Sequence, residues 1–288
     1  MNKKLSALLL AAFLSGSTFA QTIIPAPAQS KNIIIQGGTF HLGNGQVVQN
    51  GELRIEKGKI TALNANISAA PQDWEVIKAD GKHIYPGLIL MADPVGLNEI
   101  DAVRQTNDNR ETGNYTPHVR SLIAYNTDSE ITPTLRQNGI LLAQATPQSG
   151  LVSGRSSVVQ LDAWNWEDAA YKTDEGIHVF YPAMFTQGGW WGEPEPFKRN
   201  ERGEKTKKEL EQFFQEAAAY NKSTAQITNL KFEAMKGLFD ASMTLYIYAD
   251  FSKDIIEAVE FGKRHSIKKI VVVGARDAWQ VSDFLKSN

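Results

Sequence analysis

The chain has 288 residues, no cysteine and a formal net charge of -2, with 42% hydrophobic and 22% charged residues. Nothing in that balance marks a nucleic-acid-binding protein or one drawn to anionic membrane surfaces. The lack of cysteine excludes a disulfide framework and a lipoprotein attachment site, and the length allows one large domain and a small one, each with its own core.

The chain opens with Lys3 and Lys4, an apolar run over 5–14 and the small residues Thr18 and Ala20. This pattern predicts a bacterial secretory signal peptide over 1–20 cut after Ala20, hence a periplasmic or secreted protein with no stable membrane span after processing. Residues 21–30 hold two prolines and no periodicity, and read as a flexible leader. From 31 to 82 short β-type runs alternate with turn pairs such as Gly37-Gly38, Asn50-Gly51 and Lys57-Gly58. Leu53 and Ile55 against Glu52, Arg54 and Glu56 give the period of a hairpin with one buried face.

A strand is predicted from His83 to Met91, and a longer α/β body follows over 83–288. Residues 93–116 are polar and read as a long loop carrying Asp93, Glu99, Asp101 and Asp108. Short helices are expected at 118–125 and 130–138, and strands at 139–146, 156–161 and 176–184. Gly188-Gly189-Trp190-Trp191-Gly192, with Pro194 and Pro196, reads as a loop that is either a lid or an apolar plug at a rim. Helices are expected at 204–220, with Leu210, Phe213, Phe214 and Ala217 on one stripe, and at 230–239. A strand at 244–249, a helix at 252–264 with Ser252 as N-cap and a strand at 269–274 make a βαβ unit, with a further helix opening at 278.

In their order, Gly37-Gly38-Thr39, the run from Gly51-Glu52-Leu53 to Gly58-Lys59-Ile60, Asp80-Gly81-Lys82 and Pro86-Gly87-Leu88-Ile89 resemble the amidohydrolase superfamily, in its imidazolonepropionase-like branch. The resemblance is dense over 32–89, weaker through Leu161, thin over 163–220, and returns from Ala249-Asp250 to Trp279. It implies a (β/α)8 TIM-type barrel, incomplete over 83–288 and preceded by a small β-sandwich segment over 31–82, and a hydrolase of C–N bonds in non-peptide amides or small peptides. It also implies zinc at the C-terminal ends of the barrel strands, where a metal lowers the pKa of its bound water and polarises the carbonyl under attack.

The same resemblance places Leu90, Ala92 and Pro94 where an aspartate and two histidines would stand, Tyr248 and Gly274 where later histidines would fall, and the final aspartate beyond Asn288. On this set no metal is expected to be held, and no other cofactor is implied. The pocket candidates that remain are Asp93, Arg155, Tyr248, Asp250 and Arg276. Of the five histidines, His41, His83 and His265 read as structural or solvated, while His118 and His178 are placed to reach a barrel mouth. Three readings stay open: an enzyme with rearranged ligands, a non-catalytic binding or scaffold subunit, and a truncated fragment that is aggregation-prone or needs a second amidohydrolase-like chain. A small molecule or peptide is the expected ligand, and nucleic acid is not.

Overall fold

The structure is a computed structural model that describes residues 24–190, 192–223 and 227–288. The signal-peptide segment 1–20, the first part of the leader and Trp191 lie outside the described residues. Among those described, no helix is long and apolar enough to cross a membrane.

Two sheets organise the chain. The first contains β1 (Ile33–His41), β2 (Val47–Glu56), β3 (Lys59–Asn64), β4 (Glu75–Lys78) and β5 (His83–Ile84). The predicted hairpins form here: β1 pairs antiparallel with β2 and β2 with β3, while β4 and β5 both lie parallel to β1. It is one sheet of five strands in the order β3-β2-β1-β4, with β5 beside β1. Its packing rests on Ile34 and Phe40, and on a buried carboxylate, Glu52. Glu52 accepts hydrogen bonds from Arg54 Nε (2.8 Å), Ser68 N (2.8 Å) and Gln36 Nε2 (3.1 Å), and so ties the turn after β3 to two strands. Burial pushes the carboxyl up, but these donors outweigh it and hold it at about 2.

The run from His83 to Met91, expected as one strand, is two. Pro86 has no N–H to give a ladder, and the chain leaves β5 there to begin β6 (Leu88–Asp93) in the second sheet. That sheet has six strands in the order β13-β12-β9-β8-β7-β6, adding β7 (Ile140–Ala145), β8 (Val152–Gln160), β9 (Ala170–Phe180), β12 (Thr244–Ala249) and β13 (Ile270–Gly274). The class is therefore α/β, with a partial TIM-type barrel. Pairing is parallel for β6 with β7, β9 with β12 and β12 with β13. Strand β8 runs antiparallel to both its neighbours, a departure from an all-parallel barrel. The cause is local: only six residues separate Ala145 from Val152, enough for a hairpin but not for a parallel crossover.

The helices are α1 (Ile131–Gln137), α2 (Trp166–Ala169), α3 (Gly203–Lys222), α4 (Leu230–Phe239), α5 (Ser252–Arg264) and α6 (Ser282–Ser287). One core joins Leu210 and Phe214 of α3, Met235 and Leu238 of α4 and Ile255 and Phe261 of α5 to Ile177, Val179, Leu245 and Ile247 of the sheet. A second gathers Val95 and Leu97 of the long 93–116 segment with Leu122, Ala143, Ala145 and Val159. Each fully buried Leu, Ile or Phe contributes about 1.5–3 kcal/mol.

Three local expectations change. Helix α5 is capped by Phe251 without a side-chain bond, so Ser252 is its first helical residue and not its N-cap. Residues 118–125 hold only a 3-10 turn, Ser121–Ala124. The Gly-Gly-Trp segment is no loop: Phe185–Trp190 (β10) and Glu193–Arg199 (β11) form an exposed antiparallel ribbon. Pro194 and Pro196 are tolerated because this two-stranded ribbon offers edges on both sides.

Candidate functional site

Side chains alternate across a strand, so the face of β9 and β12 opposite the helix-packed core carries Gly176, His178 and Phe180 beside Tyr246 and Tyr248. His178 is fully buried; its Nδ1 lies 3.0 Å from the Tyr248 hydroxyl and its ring stacks on Tyr246 with centroids 4.7 Å apart and planes 4° from parallel. Burial lowers its pKa to about 3, so the imidazole is neutral at physiological pH. Its Nε2 has no hydrogen-bond partner among the described residues. Burial also raises the Tyr248 phenol to about 12, and Phe180 stacks on it at 4.3 Å.

A polar cluster adjoins this stack. Gln144 of β7 donates to Ser156 Oγ (3.1 Å) and to Glu175 Oε1, and accepts from the Ala92 N–H (2.9 Å). Burial, then the hydrogen bond to Glu175, raises the Tyr246 phenol above its ordinary value. All four of Gln144, Ser156, Glu175 and His178 are buried. Sequence reading missed Gln144, Ser156 and Glu175; the available signal was a lone glutamine closing the apolar run Ile140-Leu141-Leu142-Ala143.

The C-terminal ends of β9, β12 and β13 frame a cavity of about 170 Å³ lined by Tyr181, Tyr248, Asp250, Phe251, Asp254 and Gly274. Three of the five sequence candidates meet here, since the Arg276 guanidinium lies 4.6 Å from the Phe251 ring centroid. Gly274 has a φ of +82°, and a Cβ there would sit 2.5 Å from Asp250 Oδ1, so glycine makes room for that carboxylate. Asp254, in the first turn of α5, is 3% exposed, with Lys207 Nζ 3.9 Å from its Oδ1. Burial raises its carboxyl against the pull of Lys207. Phe197 of the ribbon meets Phe251 edge-on at 5.4 Å, which puts the ribbon beside the cavity.

The other two candidates lie elsewhere. Asp93 ends β6 and its Oδ1 accepts from Val95 N (2.9 Å), fixing the turn that follows. Arg155 pairs with Asp174 (3.3 Å) beside Arg120, which bonds the same carboxylate at 2.9 Å. Around Asp93 the strand bulges, and Ala92 takes a φ of +53°. Of the histidines, His41 and His83 contact each other, His265 Nε2 lies 3.1 Å from Glu211 Oε1, and His118 receives Arg155 through its carbonyl oxygen.

A zinc site of the implied kind needs three or more converging imidazoles or carboxylates. Among the described residues no group of three or more His, Cys, Asp or Glu is arranged to hold a metal ion. His178 offers one buried imidazole nitrogen without a partner beside the Tyr248 phenol, and a lone imidazole does not meet that requirement.

No protein-family model matches the sequence, and no curated protein matches it. By structure the chain is similar to an amidohydrolase from Thermotoga maritima, with a TM-score of 0.73 and 19% identity over 88% of this chain and 67% of that one. A prolidase complexed with N-methylphosphonate-L-proline gives a TM-score of 0.41 at 11% identity over 83% and 60% of the two chains. A D-hydantoinase gives 0.30 at 13% identity over 84% and 56%. What the chain shares with the Thermotoga maritima amidohydrolase is its fold.

Proposed function

We propose that this is a secreted protein of the amidohydrolase type, from the imidazolonepropionase-like branch, whose class acts on C–N bonds in non-peptide amides or small peptides. Within that class it is a binding or scaffold chain, with the metal-dependent step absent from its own residues. One observation carries the reading: on the face that would present metal ligands, polar side chains are spent on one another, His178 on Tyr248 and Gln144 on Ser156 and Glu175. The ligand is a small molecule or peptide taken at the rim cavity by Tyr248, Asp250 and the Phe251–Arg276 pair, and the partner is a second amidohydrolase-like chain that supplies catalysis.

Elemental analysis of the purified full chain, with assays on N-acyl amino acids, dipeptides and cyclic imides, tests this. The expected result is well under one equivalent of zinc and no turnover. Stoichiometric zinc with turnover abolished by a chelator would overturn it in favour of the second reading, an enzyme with rearranged ligands, which the free Nε2 of His178 favours.

A further inference from the structure

The first sheet brings together two imidazoles that the functional reading does not use. Strand β1 ends in His41 and β5 begins with His83, and their parallel register sets Thr39 opposite His83 and Phe40 opposite Ile84. Thr39 and His41 share a face of β1, so His41 projects over the same surface as His83. His41 Nε2 and His83 Nδ1 are 2.9 Å apart. Tyr85 stacks on the His41 ring with centroids 4.3 Å apart and planes 6° from parallel, and the two imidazoles lie 5.2 Å apart at 27°. Lys82, whose carbonyl accepts from Thr39 N at 2.9 Å, pins the strand that carries His83. His83 is exposed and His41 half-buried, and His41 and Tyr85 line an open surface cavity.

Metal–imidazole bonds are about 2.0–2.1 Å long, so nitrogens at this separation subtend about 90° at a shared ion. That is the cis angle of a square-planar or octahedral centre and is narrower than the tetrahedral angle zinc prefers. Without metal the contact is an N–H···N hydrogen bond. Binding requires the donating ring to carry its proton on the opposite nitrogen, a tautomer change with no net proton lost. We propose that His41 and His83 form a bidentate surface site for a tetragonal divalent ion, copper(II) foremost, with water in the remaining positions. Two protein ligands make the site exchangeable, and it is independent of the rim cavity and of the function proposed for it.

The test is titration of the full chain, purified without a polyhistidine tag, with copper(II) sulfate, followed by electron paramagnetic resonance. The expected result is one equivalent in a tetragonal spectrum with coupling to two imidazole nitrogens, and weaker binding of nickel(II) and zinc(II). His41→Ala and His83→Ala should each weaken binding at least tenfold, while His118→Ala and His265→Ala leave it unchanged. An unaltered spectrum in both of the first two variants, or coupling to a single nitrogen in the parent, would overturn the proposal. If His41→Ala loses the circular dichroism of the parent, His41→Gln and the exposed His83→Ala carry the comparison.

Discussion

His178 could carry a charge near neutral pH in solution, yet inside the sheet it is held neutral, with Tyr248 as its one side-chain hydrogen-bond partner among the described residues. Because the folded chain resists protonation of this ring, the unfolded chain takes up the proton first. Stability is therefore full above pH about 6.5 and falls as pH drops toward about 3, by up to about 1.4 kcal/mol per pH unit. Between pH 7 and 5 the residue should account for about 2 kcal/mol, and urea unfolding of His178→Leu at both pH values should show that share of the loss gone. Tyr248→Phe leaves both ring nitrogens without a partner and should lower stability by about 1–3 kcal/mol at pH 7 in the same measurement. Glu52 acts in a lower window: its folded pKa lies below the ordinary glutamate value of 4.5, so its contribution is complete above that value and is lost as pH falls toward about 2. Glu52→Gln should cost about 2–3 kcal/mol at pH 7, and the difference from the parent should vanish in strong acid.

Among the elements, the ribbon β10–β11 contributes almost nothing to either core: every one of its strand residues is exposed. Replacing 186–198 by a short Gly-Ser turn should change unfolding free energy by less than about 1 kcal/mol, as expected where no core contact is lost. The same deletion should weaken the ligand binding proposed at the rim cavity, since Phe197 is removed from Phe251. The ribbon also shows where sequence reasoning stops. Helix α4 and strand β12 were legible to the residue because apolar periodicity and flanking polar turns agreed. Pro194 and Pro196 spoke against a strand, and only the absence of neighbouring strands makes them harmless. The meeting of Tyr248, Asp250 and Arg276 was readable from their places at strand ends. The bonding of Gln144 to Glu175 was not, because it depends on β8 reversing direction between β7 and β9, which fixes a register that no local pattern encodes. Nor was the His41–His83 contact, which follows from β5 leaving its neighbour β6 to join β1.

For the molecule as a whole, the described sheet leaves β6 and β13 as edges. Leu88, Ile89 and Met91 on β6 are each more than half exposed, on a strand with unpaired backbone groups. Self-association through this edge is expected, and Ile89→Lys should shift sedimentation velocity profiles toward the monomer without altering circular dichroism. Unchanged profiles would place the association elsewhere.

The reversed strand β8 has a kinetic consequence. From β7 to β9 the chain meanders through two antiparallel pairings joined by short connections, whereas β9 meets β12 only after the intervening ribbon and two helices. Short closures cost little entropy and form early; distant parallel pairings wait for the helices between them to pack. Pulse-labelled amide exchange should find protection appearing in 140–180 before 244–274, so that one half of the sheet serves as the template on which the other is laid down.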